Sequence, residues 1–253
     1  MIVRHALRKT DSSTDRFWWI AYEGTDVATF YGRAGTTGKA LVRRFASEAD
    51  CQTQAERDLH AKLKKGYVEL PEADASATFD EHRYLDSEFG LHRLTSHPRF
   101  VEAFDDARYY DPNEEEAPVG NDAGHDALTS LQEETRGARA AMDFRSFPER
   151  LVRDRWGMTF VAPAELNLRE AQALVSRPRD GSPRDRDYYQ TDQVVVATAV
   201  GQAKITGRID PELRASAVVA LGRLIVMNEA WSGQSYPGDG FLHTMADDLR
   251  RFA

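Results

Sequence analysis

The run Phe17-Trp18-Trp19-Ile20-Ala21-Tyr22 constrains the fold more than any other stretch, because aromatic and β-branched residues in succession favour an extended strand. Glu23-Gly24-Thr25-Asp26 follows with the composition of a hairpin turn, and Val27 to Tyr31 reads as the returning strand. Ile2 to Leu7 supplies an earlier strand, separated from the aromatic run by the polar turn Thr10 to Thr14. Gly32, Gly35 and Gly38 punctuate a second turn before a strand from Ala40 to Phe45. The pattern predicts a short antiparallel meander with aromatic faces.

A helix is predicted next. Ser47 is placed as its N-cap with Asp50 three residues on, and Ala55, Leu59 and Leu63 recur on one face. Lys62, Lys64 and Lys65 fall in the last turn, where cations suit the negative end of the helix dipole, and Gly66 follows as a stop signal. Tyr67 to Leu70 can return extended. Residues 71–78, Pro-Glu-Ala-Asp-Ala-Ser-Ala-Thr, read as a linker, which sets domains at 1–70 and 79–253.

The second region reads as mostly helical: short at Pro98 to Ala107, longer at Asp122 to Arg136 and Ala164 to Val175. Val194 to Ala203 is apolar nearly all round, which favours a buried helix. Asp210-Pro211-Glu212 then opens a helix to about Asn228 with a cap, a proline in the first turn and an acid behind it, so the two should pair as a hairpin. Phe241 to Phe252 closes the chain as an amphipathic helix, and Arg177 to Tyr188 is a polar loop. The fold class expected is α+β: a small antiparallel sheet with one helix, followed by a mainly α-helical domain.

Charge divides along the same line. The net charge of −8 splits into +3 over residues 1–70 and −11 over residues 71–253, and five of the six lysines lie before Leu70. A basic head on an acidic body suggests two units with different partners. Residues 102–116 hold seven acids against Arg108, either a solvated loop or a surface that competes with nucleic acid for the basic head. No stretch approaches the roughly 20 apolar residues of a membrane span, and the N-terminus lacks a secretory pattern, so cytoplasm and no membrane are expected. Cys51 is the single cysteine, so no intrachain disulfide or Cys-rich metal site can form.

Phe30-Tyr31-Gly32-Arg33-Ala34-Gly35-Thr36-Thr37-Gly38-Lys39 resembles the signature of the WGR family, Trp-Gly-Arg followed by Xaa-Gly-Xaa-Xaa-Gly. The likeness extends to the aromatic strand before it, the basic strand ending in Phe45, the Ala-containing helix and Lys64-Lys65-Gly66-Tyr67. Tyr31 replaces the tryptophan that names the family. WGR domains occur in DNA-dependent poly(ADP-ribose) polymerases, where they engage DNA near a break and contact neighbouring domains. They also occur in bacterial proteins related to a molybdate-metabolism regulator and in small bacterial proteins, the group this chain is most similar to. The resemblance implies that Tyr31 stacks on a sugar or terminal base while Arg33 meets a phosphate or fastens the site.

The residues themselves make a plausible phosphate patch. Gly35 and Gly38 permit close backbone approach, while Lys39, Arg43 or Arg44, and the helix-end Lys62 and Lys65 supply charge. Strand alternation sets Arg43 with Leu41 and Phe45, which favours Arg44 as the surface residue. The expected nucleic-acid-binding set is therefore Tyr31, Gly32, Arg33, Lys39, Arg44, Lys62 and Lys65. Nothing in it reads base edges, so shape- or end-dependent binding of DNA, with RNA as the other candidate, is the leading expectation. The competing expectation is protein docking on the same face, and residues 79–253 are expected to contact another protein or regulate the first domain.

Signs of catalysis are weak. No Gly-x-Ser-x-Gly elbow or Walker loop is present, and no His–Tyr–Glu set of the polymerase type can be assembled after Leu70. Asp122, His125 and Asp126 can share a helix face as a metal or acid–base triplet, but Asn121 or Asp122 as a helix cap explains the same string. His82, His92 and His97 match no zinc spacing and read as surface scatter. A non-enzyme without cofactor or metal is the expectation, with an unfamiliar enzyme at Asp122, His125 and Asp126 as a third reading.

Overall fold

The structure, a computed structural model, describes residues 1–85, 90–137, 142–177 and 181–252. It divides into two compact units, Met1–Pro98 and Arg99–Ala253. In the first, strands β1 (Val3–Thr10), β2 (Asp15–Glu23), β3 (Asp26–Arg33) and β4 (Lys39–Arg44) form the expected antiparallel meander. Helix α1 (Glu48–Lys64) follows, and the two-residue β5 (Val68–Glu69) pairs with β1, giving the sheet order β4-β3-β2-β1-β5.

Each face of this sheet carries its own core. Side chains alternate along a strand, so neighbours in β2 serve opposite sides. Trp18 and Ile20 pack with Leu7 and Val27 under Cys51 and Ala55 of α1. Phe17 and Trp19 pack with Ala28 and Phe30 against Tyr84 and Leu94. The α1 start is as read from sequence: the Ser47 hydroxyl accepts from the Asp50 N–H at 3.1 Å. At its other end the Gly66 N–H donates to the Leu63 carbonyl at 2.9 Å.

Residues 71–78 are not a linker. Helix α2 (Glu72–Glu81) occupies them, and Ala75 and Phe79 pack on the Trp19 face. Its alanine-rich, acidic sequence hides this because no residue in it is fully buried. The first unit accordingly runs on to Pro98 rather than ending at Leu70. The three histidines are not scattered on the surface either. His82 lies edge-on to Trp19 with centroids 4.4 Å apart, His97 is buried, and the His92 imidazole accepts from the Leu94 N–H.

The second unit is helical: α3 (Pro98–Ala103, beginning at the boundary), α4 (Asp122–Gly137), α5 (Phe147–Arg150) running into a π-turn, α6 (Leu168–Val175), α7 (Asp185–Thr206), α8 (Pro211–Ser232) and α9 (Phe241–Arg251). The expected hairpin is α7 with α8, and Asp210 caps α8 by accepting from Glu212 and Leu213 N–H groups. Part of the loop expected at Arg177 to Tyr188 (residues 178–180) lies outside the described residues, and α7 begins within it at Asp185. The acidic stretch 102–116 is folded rather than a free loop. Asp106 holds Arg108, the buried Tyr109 hydroxyl donates to Asp248 at 2.8 Å, and Glu116 accepts from the Tyr236 hydroxyl at 2.6 Å. Among the described residues no helix is long and apolar enough to cross a membrane.

One buried ion pair ties this unit together. Arg223 of α8 donates from Nε and Nη2 to the two oxygens of Asp192 of α7, each at 2.8 Å. Its remaining donors reach the carbonyls of Val161 and Ala162, in the irregular stretch before α6, at 2.8 and 3.0 Å. Burial pushes the Asp192 carboxyl up, to about 7, against the opposing pull of Arg223. Removing one partner strands the other in a dry core. Arg223→Leu is therefore expected to lower the unfolding free energy by about 3–5 kcal/mol, read as a shifted urea midpoint in helical circular dichroism. An unshifted midpoint would contradict this role.

Candidate nucleic-acid interface

Tyr31 stands near the end of β3 on the α1 side of the sheet, directly across from Trp18 of β2 and Lys39 of β4. Trp18 is 3% exposed and Tyr31 is 42% exposed, so a buried indole sits across the strand pair from a phenol open to solvent. They line one groove of about 300 Å³ with Thr29, Leu41, Arg43, Asp58, Lys62 and Lys65. The strand contributes aromatic surface and the last turns of α1 contribute charge.

The cations here are unequal. Arg43 is held by Asp58, which also accepts from Gln54, yet the Arg43 Nε–H is buried with no partner among the described residues. Lys62 lays its ammonium 5.2 Å from the Trp18 ring centroid and 5.4 Å from that of Tyr67. Partial burial, and then the charge of Lys65, pull the Lys62 ammonium below the ordinary lysine range, with Asp58 opposing. Cation–π contact compensates some of the lost hydration. An anion seated between Lys62 and Lys65 would relieve both penalties, because it replaces lost solvation and cancels the repulsion.

The expected site residues thus divide. Tyr31, Lys39, Lys62 and Lys65 fall on one side of the sheet around the groove. Arg44 does not join them. It projects on the opposite face, 77% exposed, with Nε and Nη2 bonded to Asp26 at 2.8 and 3.0 Å. Arg43 takes the place assigned to Arg44, because the Leu41 face, expected to be buried, is open here with Leu41 44% exposed. Arg33 lies opposite Arg16 at the strand end and lines a separate depression with Asp11, Ser13, Thr14 and Asp15.

Gly32 and Gly38 are architectural. A Cβ on Gly32 would come 2.7 Å from the Gly38 Cα, and one on Gly38 would come 2.5 Å from the Phe17 ring and 2.6 Å from the Tyr31 carbonyl oxygen. Gly38 also has φ +63°, where a side chain is strained. The turn is thereby packed tightly against Phe17 and the Tyr31 backbone. Sequence reasoning found both glycines but not this contact between them.

The triplet Asp122, His125 and Asp126 lies exposed at the start of α4, where the Asn121 side chain caps the helix by accepting from the Gly124 N–H at 2.9 Å. Among the described residues, no group of three His, Cys, Asp or Glu side chains is placed to hold a metal ion.

The Tyr-Gly-Arg turn sits in a five-stranded antiparallel sheet with α1 on one face, and the model of the WGR domain matches residues 3–74. Over nearly its whole length the chain is also similar to the uncharacterized protein YfeS of Escherichia coli K12. The two are 35% identical over 247 residues, 96% of this chain and 95% of that one. It belongs to the family of WGR-domain proteins that includes YfeS. A crystal structure of a Bacteroides fragilis protein is 24% identical over 53% of this chain and 39% of that one, with a TM-score of 0.28, an overlay too loose to bear on the fold. The WGR domain is a module of nucleic-acid-binding type.

The glycine clamp makes a direct prediction. Gly38→Ala forces a Cβ into Phe17 and the Tyr31 carbonyl in a left-handed backbone, and should cost roughly 2–4 kcal/mol. Thermal unfolding of the full chain checks it, with a lowered midpoint for the first transition expected and an unchanged one contradicting the clamp.

Proposed function

We propose that this protein binds nucleic acid, DNA foremost, without catalysing a reaction on it, and that Tyr31 and the α1 lysines form the contact surface. The observation that carries this reading is the solvent-open Tyr31 ring beside Lys62 and Lys65 in one groove. A stacking face next to two lysines suits a base or sugar with its adjoining phosphate. The groove offers no row of side chains spaced to read base edges, so recognition depends on strand ends or shape rather than sequence. The second unit, Arg99–Ala253, would then regulate the first or recruit a protein.

Exposure of Leu41 beside Tyr31 favours a second reading, in which the same face docks a protein partner. Fluorescence anisotropy separates the two, using labelled nicked and blunt duplexes, single strands and RNA at two salt concentrations. Nucleic-acid binding predicts that Tyr31→Ala weakens affinity roughly 5- to 150-fold, the equivalent of about 1–3 kcal/mol for one stacked base. Lys62→Ala with Lys65→Ala should flatten the salt dependence by roughly two phosphates. Arg44→Ala, on the other face, should leave both unchanged. Absence of salt-sensitive binding to any of these ligands would favour the docking reading.

A further inference from the structure

The sheet is open along part of its β1 edge. β5 pairs with β1 only at Leu7 and Arg8, and the Leu70 N–H then donates to the Ala6 carbonyl at 2.9 Å. Pro71 follows and the chain turns away into α2. In an antiparallel ladder, alternate residues of a strand turn both N–H and C=O to the same neighbour. Ala6 faces β5, so Arg4 and Ile2 turn theirs the same way, beyond the point where β5 has left the sheet. No described residue takes up these backbone groups. An edge of this kind is a template for another strand.

A groove of about 710 Å³ lies along it. The lining includes Arg4 and Ala6, which point to the Trp19 face, and His5, which points to the other, so the groove straddles the strand edge rather than lying on one face. On the Trp19 side its wall is half-buried apolar surface from Ile2, Leu70, Ala75 and Phe79. On the other side Glu69 bonds the His5 imidazole at 2.7 Å. The carboxylates of Glu69, Glu72 and Asp80 stand against Arg4, so the lining is negative on balance. It repels a phosphate backbone and attracts basic side chains. Strand addition takes affinity from main-chain bonds and specificity from alternate side chains. The matching strand is apolar towards Phe79 and basic towards Glu69, which means apolar and basic residues in alternation.

We propose that the open edge of β1 at Ile2 and Arg4 docks an extended segment of a partner protein, alternating apolar and basic residues, as an added antiparallel strand. The site lies on the β1 side of the sheet, away from β3 and β4, so it stands whether or not the Tyr31 groove binds nucleic acid.

The test is ¹⁵N–¹H amide mapping of the full chain during titration with an acetylated six-residue peptide alternating valine and lysine. The proposal expects saturable shifts at Val3 to Ala6, at Glu69 and on α2 around Phe79. The residue opposite Arg4 shares its face and turns its N–H to β1, so that residue is valine. N-methylating the valines should therefore abolish binding, and N-methylating the lysines should leave it intact. A valine–glutamate peptide, and the valine–lysine peptide on Glu69→Lys protein, should each bind about tenfold more weakly. Arg4→Pro removes an outward N–H and no bond to β2, and should weaken binding more than Arg4→Ala does. No saturable shift along Val3 to Ala6, or equal binding by the valine-methylated peptide, overturns the proposal.

Discussion

The first unit depends on a steric demand made by β2. Phe17, Trp18 and Trp19 are consecutive, so a strand that contains them sends bulky aromatic rings to both sides. Neither side can be left to water, because each large ring gains roughly 1.5–3 kcal/mol by full burial. Helix α1 covers Trp18, while α2 and the segment through Tyr84 and Leu94 cover Phe17 and Trp19. A meander with α1 alone would leave the second face bare. This is why the domain runs on through α2, and why His82 and His97 end up inside.

The same demand places the charge. Covering Trp18 brings the last turns of α1 over the strand ends, and with them Lys62 and Lys65, beside Tyr31. Leu41 stays 44% exposed on that side, and it lines the groove with Asp58, Ala61, Lys62 and Lys65. Lys62 is therefore held where its charge is partly desolvated and repelled by Lys65, a state that an arriving phosphate improves. Arg43 is already satisfied in part by Asp58. Binding strength would rest mainly on one aromatic ring and two or three lysines.

Much of this was legible in the sequence. The four meander strands, α1 with its Ser47 cap, the α7–α8 hairpin and α9 all follow from periodicity, turn residues and capping chemistry, which are local. Helix α2 was hidden because its residues are individually linker-like, and only the bare aromatic face of β2 gives them a reason to fold. The α+β class was legible for a related reason, and Tyr31, Lys39, Lys62 and Lys65 lie on one side of the sheet. A single strand end and a single helix end were each readable, and one packing contact joins them. Strand alternation points to Arg44 only if the Leu41 side is buried, and with Leu41 44% exposed it is Arg43 that lies on the open side. The clamp between Gly32, Gly38 and Phe17 was equally invisible, since it joins residues through space that the spacing of glycines does not specify.

The most direct test of this account is amide chemical-shift mapping of the full chain during titration with a short duplex carrying a free end. The account predicts perturbations concentrated on β3 around Tyr31, on β4 from Lys39 to Arg43, and at the C-terminal turns of α1, weakening as salt rises. Perturbations confined to the Arg44 and Asp26 face, or none at low salt, would contradict it.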